Sequence, residues 1–468
     1  MKYINKELEE FNNELKNKRI ALIGLGVSNI PLLDYFYAHN ANVTAFDNRP
    51  RDKVDASVIE KLDDYKMVYY LGEKSLDHLV GFDYIFRSPS CRPDTPEILK
   101  EIENGAILTS EIEKVLELTP STVIGVTGSD GKTTTTTLIY KILVANNYKC
   151  FLGGNIGTPL FTKISEMQPE DIVVLELSSF QLMNMELSPD IAVVTNISPN
   201  HLNVHKDYQE YIESKMNIFL HQNENGILVI NADNDITKDF YKYAKGKVRY
   251  FSSKQKLDNG VIFDREDNII KVCEDGTRKH LVKQKNMKLR GIHNCENACA
   301  AICATLNLSK EDITRKTIED FPGVEHRLEY IRTIDDVKWY NDSIGSSPTR
   351  TIAGLNSFDE KIVLIAGGYD KHLDYTPIAK PIIEHVSKLI LVGQTSEKIE
   401  KAVMDESEKV GVNVPIYKCE TLKQTVEKAK EVSSEGEVVL FSPASASFDM
   451  FKNFEERGNK FKELVNNL

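Results

Sequence analysis

The sequence predicts an α/β protein of three domains, each built on a mostly parallel sheet with helices on its faces. Two observations lead there. Short apolar runs end in glycine-bearing turns or single acidic residues and pass directly into helix-forming segments, as strand–turn–helix units do in doubly wound sheets. Such units recur in every third of a chain of 468 residues, a length that divides into domains of roughly 100 to 200 residues. Boundaries are expected near residue 108 and at Phe321-Pro322-Gly323, giving domains 1–108, 109–322 and 323–468.

Composition narrows the function classes. A net charge of −12, from 58 basic and 70 acidic residues, argues against a nucleic-acid surface and leaves room for a local basic pocket that takes an anionic small molecule. The stretch MKYINKELEEFNNELKNK is charged and helix-like, unlike an apolar signal segment, and no uninterrupted apolar run reaches membrane-spanning length. A cytoplasmic protein without membrane insertion is expected, its seven cysteines reduced. Cys295, Cys299 and Cys303 recur every fourth residue among alanines, which suits one packed helix face better than a metal cluster.

In the first domain, Arg19 to Ile23 reads as a strand entering the turn Gly24-Leu25-Gly26-Val27-Ser28-Asn29 and then a helix, and Ala41 to Phe46 is a second strand ended by Asp47. A glycine turn followed by an acid roughly twenty residues on is the start of a dinucleotide site. Asn29 stands where the third glycine belongs, so a Rossmann-like domain that offers its first turn to another nucleotide phosphate is an equal reading. Asp83 to Ser90 ends a further short strand in a loop.

The second domain opens on Gly125-Val126-Thr127-Gly128-Ser129-Asp130-Gly131-Lys132-Thr133-Thr134, between the apolar start of a strand and a helix. Glycines let backbone N–H groups converge on phosphate oxygens, the helix N-terminus adds positive potential, Lys132 reaches terminal phosphates and Thr133 offers a hydroxyl to Mg²⁺. A nucleoside triphosphate is the implied ligand, although five residues rather than the usual four separate Gly125 from Gly131. Ile172 to Leu175 then runs into Glu176, where a nucleotide-binding sheet holds a metal-directed carboxylate. A second strand, Ile191 to Thr195, leads through Asn196 to His201 at the same sheet edge, which suggests a Mg²⁺-site role for the imidazole. His205, four residues on, completes no zinc site, because no third ligand is evident.

These motifs, TGSDGKTT, GGNIG, LELSSFQL, NISPNHLNVH and YIESKMNIF, resemble the central domain of the Mur ligases, ATP-dependent amide-forming enzymes of peptidoglycan precursor synthesis, with order and spacing matched over essentially the whole chain. LELSSFQL is similar to the form in the branch that adds D-glutamate; the branch adding the third residue usually carries histidine where Phe180 stands. The resemblance implies a central P-loop-type mononucleotide-binding domain between two Rossmann-like domains, with ATP, UDP-N-acetylmuramoyl-L-alanine and D-glutamate as substrates, Mg²⁺ as cofactor, no nucleic-acid partner and a monomer. It implies that Gly128, Ser129, Asp130, Gly131, Lys132, Thr133 and Thr134 hold ATP, that Glu176, His201 and Thr133 serve the metal, and that Asn155 and His201 meet the muramoyl substrate. The UDP portion would lie against Gly26, Val27, Ser28, Asp47, Asn48, Arg49 and Ser88. Lys215 would be the carbamylated lysine of such enzymes: an ammonium near Mg²⁺ is repelled, whereas a carbamate is an anionic oxygen ligand suited to that hard cation. Asp130 departs from the Asn common in the family, and Asn200 and Asn203 from Asp; a carboxylate beside phosphates repels them unless it is metal-bound or turned away.

Residues 250–285 read as short strands joined by Asn-Gly and Asp-Gly turns and carry no chemistry. Asn294 and Asn297 share a helix face; a purine edge or helix capping accounts for them equally, and the resemblance places both near adenine. In the third domain, Arg327 suits phosphate recognition through its planar fork, and the resemblance directs Arg327 and Asp342 to the nucleotide. Ile344 and Ser346 depart from a lysine and a threonine common there. SPASASFDMFKNFEERGNKF is similar to the D-glutamate-adding branch, implying that Lys371 pairs with an amino-acid carboxylate while Ser346, Ser447 and Phe454 help shape its pocket, with a core aromatic the other reading of Phe454. Catalysis is expected to rest on Lys132, Glu176, His201, Lys215 and Arg327, through an acyl phosphate that the amine of D-glutamate attacks.

Overall fold

The computed structural model describes residues 3–16, 18–200, 204–371 and 373–468. Among these described residues, twenty strands form three sheets. The first holds β1 (Arg19–Ile23), β2 (Asn42–Asp47), β3 (Val68–Leu71), β4 (Tyr84–Arg87) and β5 (Ile107–Thr109) in the order β3-β2-β1-β4-β5. All its pairings are parallel, as the alternation of strand and helix requires.

The second sheet runs β14-β13-β12-β11-β10-β9-β6-β8-β7. Its parallel part is β6 (Thr122–Thr127), β7 (Cys150–Gly154), β8 (Ile172–Glu176), β9 (Ile191–Val194), β10 (Ile227–Asn231), β11 (Lys247–Ser252) and the first residues of β12 (Gly260–Asp264). Strands β6, β8 and β9 are buried at nearly every position and read as continuous Val/Ile/Leu runs, as strands covered on both faces do. β13 (Ile269–Glu274) and β14 (Thr277–Lys283) extend the sheet antiparallel. They turn at Asp275-Gly276, both residues at positive φ (46° and 76°), the backbone a two-residue hairpin needs. The other predicted turn, Asn259-Gly260, instead starts β12, where a Cβ on Gly260 would lie 2.2 Å from the Tyr250 carbonyl oxygen.

The third sheet is β15-β16-β20-β17-β18-β19, from β15 (Glu329–Ile334), β16 (Val337–Asn341), β17 (Ile362–Ala366), β18 (Val386–Val392), β19 (Ile416–Cys419) and β20 (Val438–Phe441), parallel except for the β15–β16 hairpin.

Three sheets make two compact units: residues 1–286 with 293–318, and 287–292 with 319–468. The first two sheets fall in one unit because a single core runs through both. Phe86 of the first sheet and Phe36, on the helix Ile30–Ala38 that follows β1, pack with Phe161 at ring-centroid distances of 6.4 Å, and that core continues to Leu175 of the second sheet and to Tyr211 on the helix Tyr208–Leu220. Glu111, buried after β5, receives the amides of Leu160 and Phe161 at 2.8 and 2.9 Å and fastens the same seam. In the second unit, separate cores cover the two faces of the third sheet. Among the described residues no helix is long and apolar enough to cross a membrane.

Candidate active site

The phosphate loop joins β6 to the helix Lys132–Ala145, whose first turn has no side-chain cap, so its N–H groups face the loop mouth. Glycine is required at both ends. A Cβ on Gly128 (φ 150°) would lie 1.9 Å from Thr195 Oγ1, and one on Gly131 (φ 78°) 2.2 Å from Asn297 Oδ1. Strand β9 supplies the frame: Asn196 accepts the Asp130 amide on Oδ1 (3.0 Å), donates Nδ2 to the Asp130 carbonyl (3.1 Å) and takes the Ser129 amide on its own carbonyl (2.9 Å). Thr195 Oγ1 donates to the same Asp130 carbonyl at 2.6 Å. The Ser129 hydroxyl lies 2.9 Å from both the Ser198 carbonyl, to which it donates, and the Tyr211 hydroxyl. Asp130 is exposed, and its backbone builds the loop. Lys132 Nζ donates to the carbonyls of Gly128 and Ser129, each at 2.9 Å, and so lies over the loop. Thr133 is half-buried in the first turn, its carbonyl accepting Thr137 Oγ1; Thr134 is buried.

Beside the loop, β8 ends on Glu176, 1% exposed. Its Oε1 accepts Asn155 Nδ2 at 2.8 Å, and its Oε2 is buried with no partner among the described residues. Lys215 projects from the helix Tyr208–Leu220 into the same edge. It is 2% exposed, donates to the Gly128 carbonyl (2.8 Å) and Thr127 Oγ1 (3.2 Å), and lies 4.9 Å from the centre of the Tyr211 ring. Burial first, then the positive charge of Lys132, holds its pKa well below that of an ordinary lysine, against the pull of Glu176 and Asp130. An amine with reduced proton affinity is the form that adds CO₂. His201 and Asn203 lie outside the described residues. His205 is a core residue, with Nε2 2.9 Å from Ser179 Oγ and its ring stacked on Phe180 at 5.4 Å; the described residues hold no cluster of three metal-ligating side chains.

Asn294 and Asn297 are buried and joined to each other (3.2 Å), and Asn297 also meets Thr135 Oγ1 at 3.4 Å, so this pair backs the phosphate loop. Cys295, Cys299 and Cys303 are fully buried free thiols on the same helix, their pKa values raised first of all by burial.

At the first glycine turn, Gly24 has φ 86° and a Cβ there would lie 2.3 Å from Ser88 Oγ. Asn29 is buried beneath it and donates Nδ2 to the carbonyls of Ile23 and Gly24, both at 3.0 Å, so it ties the turn that a third glycine would only have packed. Gly26 and Val27 are exposed and Ser28 half-buried on the turn. Asp47 is engaged by protein: Oδ2 accepts the Leu25 amide (2.8 Å) and Arg49 Nη2 (2.7 Å), Oδ1 the Arg49 amide (2.9 Å) and Nε (2.8 Å). Burial works to raise its pKa, but these bonds outweigh it and hold the carboxyl below its usual value. Asn48 is exposed beside it.

In the second unit, Arg327 is half-buried between His326 and Leu328, both at positive φ (63° and 45°). Asp342 is buried; Oδ2 accepts Ser442 Oγ (2.6 Å) and Oδ1 the Leu328 amide (3.2 Å), and burial pushes its pKa up to about 6 against those bonds. Lys371 is exposed with Nζ 5.4 Å over the Phe448 ring. Ser346 is half-buried, Ser447 is buried, and the half-buried Phe454 ring meets His326 edge-on at 6.0 Å.

Several residues that build these sites carry no local signal. Arg457 is buried and donates to the carbonyls of Ser343, Ser445 and Ala446 and to Ser343 Oγ, joining two loops at the third sheet's carboxyl edge. Arg87, Asn196 and Tyr211 likewise act through partners tens of residues away. Only the position of Asn196, at a strand end beside the phosphate loop, is a hint visible in sequence.

A phosphate loop on a parallel sheet, with a buried acid and a buried lysine at its edge, defines a nucleotide-dependent α/β enzyme. Residues 18–110 match the MurD-like N-terminal domain of Mur ligases, 126–305 the Mur ligase middle domain and 326–445 the Mur ligase glutamate ligase domain. Proteins named UDP-N-acetylmuramoylalanine--D-glutamate ligase are 50% identical in Acetivibrio thermocellus, 46% in Clostridium novyi and 48% in Ruminiclostridium cellulolyticum, each over 99% of this chain and 100% of the relative. The chain belongs to the Mur ligase family, in the group of the UDP-N-acetylmuramoylalanine--D-glutamate ligases. The crystal structure of UDP-N-acetylmuramate-alanine ligase from Thermotoga maritima shares the fold at TM-score 0.57, 19% identity and coverage of 96% of this chain and 100% of that one. A UDP-N-acetylmuramoylalanyl-D-glutamyl-2,6-diaminopimelate--D-alanyl-D-alanyl ligase from Acinetobacter baumannii does so at TM-score 0.57, 15% identity and 98% coverage of both chains.

Proposed function

We propose that this protein joins D-glutamate to UDP-N-acetylmuramoyl-L-alanine with ATP, giving an amide, ADP and phosphate. The observation that carries the reading is the pair Glu176 and Lys215, buried together beside the phosphate loop with one carboxylate oxygen unpartnered and the amine held low in proton affinity.

A carboxylate is too poor an electrophile for direct amide formation, so the alanyl carboxylate first takes the γ-phosphoryl group of ATP. The uncapped amides in the first turn of the helix Lys132–Ala145, together with Lys132, would hold the triphosphate and offset charge as it moves, and Arg327 would serve the same charge. The acyl phosphate is then attacked by the amine of D-glutamate, whose carboxylate would pair with Lys371 near Ser346 and Ser447. Asn155 would orient the muramoyl end, and the first glycine turn with Ser88 and Arg49 the UDP end.

The unpartnered Glu176 Oε2, the Thr133 hydroxyl and a carbamate on Lys215 are hard oxygen donors that fit Mg²⁺, and with His201 they would hold it. When bound, the ion neutralises phosphate charge. The division of labour follows domains 1–108, 109–322 and 323–468, and the enzyme works as a cytoplasmic monomer needing neither membrane nor nucleic acid.

Phosphate release from Mg·ATP with UDP-N-acetylmuramoyl-L-alanine, compared across D-glutamate, L-glutamate, L-lysine and no amino acid, tests this with mass detection of product. Stimulation by D-glutamate alone, with one glutamyl unit added, is expected. Turnover with none of them, or stimulation by another amino acid, defeats it.

A further inference from the structure

The loop that follows β4, residues 87–94, reaches from the first sheet to the two chain segments that carry the catalytic-edge residues of the second. Arg87 is 2% exposed and donates Nη2 to the Phe180 carbonyl (2.8 Å) and Nε to Asn184 Oδ1 (2.7 Å), in the segment that leaves Glu176. Its Nη1 turns back to the Cys91 carbonyl at 3.0 Å, binding the loop to itself. Arg92 grips the other segment. Its fork takes both oxygens of Glu210 (2.7 and 3.1 Å) and both of Asp94 (2.8 and 3.0 Å), and Nη1 donates to the Val204 carbonyl at 2.7 Å. Lys206 closes the ring onto Asp94 at 2.5 Å, while its amide donates to Glu210 Oε2 at 2.8 Å.

Glu210 lies in the first turn of the helix Tyr208–Leu220, whose other face turns Tyr211 and Lys215 onto the phosphate loop. One arginine therefore fixes the chain leaving Glu176, and the other fixes both the stretch before the Lys215 helix and its first turn. An isolated exposed ion pair adds little to stability, but a bidentate fork inside a network fixes geometry. Arg92 and Glu210 are only 28% and 22% exposed, and the pair with Arg92 contributes most to holding the Glu210 carboxyl down at about 2.

We propose that Arg92, together with Arg87, is a positioning residue of the reaction: the loop 87–94 sets where Glu176 and Lys215 stand, so the seating of the nucleotide-sugar domain is transmitted to the phosphate-transfer edge. The proposal rests on the ligase reading. Neither arginine touches a reacting group, and the effect runs through the backbone of 180–184 and of 204–210.

The test uses the full chain with Arg92→Met, Arg92→Lys, Glu210→Gln and the double variant Arg92→Met/Glu210→Gln. In metal-free protein, hydrogen–deuterium exchange should quicken across 204–215 in Arg92→Met and not across the helix Phe454–Asn466. In turnover, kcat should fall about 10- to 100-fold and the Mg²⁺ concentration for half-activity should rise, with the KM for ATP changed less than about twofold. Arg92→Lys should rescue little, since an ammonium cannot fork, and the double variant should be no worse than Arg92→Met. Unchanged exchange at 204–215, an unchanged Mg²⁺ dependence, or additive effects in the double variant would overturn the positioning role. Wild-type protein that releases no phosphate with D-glutamate overturns the ligase reading instead, and the exchange experiment then decides the clamp by itself.

Discussion

The carboxyl edges of the second and third sheets bury the same kinds of charge and treat them differently. At the second, among the described residues, Glu176 keeps one oxygen unpartnered, and Lys215 has a carbonyl and a hydroxyl for partners and no carboxylate within ion-pair distance. At the third, Arg457 spends its fork on three carbonyls and a hydroxyl, and Asp342 accepts from Ser442 and Leu328. Buried charge is costly unless satisfied. At the second edge the carboxylate is thus left open beside the phosphate loop, whereas at the third Arg457 and Asp342 are tied into the scaffold and Lys371, over the Phe448 ring, stands in solvent.

The sharpest way to break that contrast is to remove the charges. Glu176→Gln and Lys215→Met should each cost about 10³-fold in kcat, as loss of a preorganised electrostatic group does. Lys215→Met should nevertheless unfold in urea at no lower concentration than the wild type, because a buried amine whose charged form is disfavoured there is replaced by an apolar side chain of similar length. A marked loss of stability in Lys215→Met would make Lys215 a strut of the Arg457 kind.

Arg457→Met should behave oppositely, losing about 3 kcal/mol in urea unfolding, since the buried carbonyls of Ser343 and Ser445 lose their donor while that of Ala446 keeps the Tyr369 amide. A loss under about 1 kcal/mol would show that the loops at 343 and 445 hold without it.

Asp342 sharpens the comparison through pH. Its folded pKa is raised from 3.8 to about 6, so between those values the folded state binds more protons than the unfolded. Its contribution is favourable below about pH 4 and is lost as pH rises to 6, a swing of about 2 units or about 3 kcal/mol. Asp342→Asn should lack that decline, which unfolding curves at pH 4 and pH 7 would reveal as a smaller pH effect than in the wild type. Equal pH effects in both proteins would exclude Asp342 as its source. At the far end of the second sheet, Gly276→Ala should cost about 1 kcal/mol through its positive φ and leave turnover untouched.

Much of this was legible in sequence, because local patterns carry it. β8 and β20 fall where apolar runs end, and the phosphate loop, the Asp275-Gly276 hairpin and the packed cysteine face follow from composition and spacing. Two residues read differently in three dimensions. Asn29, which in sequence stands in place of a third glycine, ties the turn, and Asp47, which in sequence is the acid after the second strand, has both oxygens engaged by Leu25 and Arg49. Arg87, Arg92 and Arg457 were not legible because each meets partners roughly 90 to 120 residues away, which no window of neighbours shows.

The Asn196 clamp has an evolutionary corollary. Because the loop is held through the peptide of residue 130, the side chain at that position is released from architecture, and the exposed Asp130 carboxylate adds its charge there without disturbing the cradle. Natural selection is free there to adjust the local electrostatic potential one charge at a time, tuning nucleotide affinity or salt tolerance while the phosphate-binding backbone stays the same.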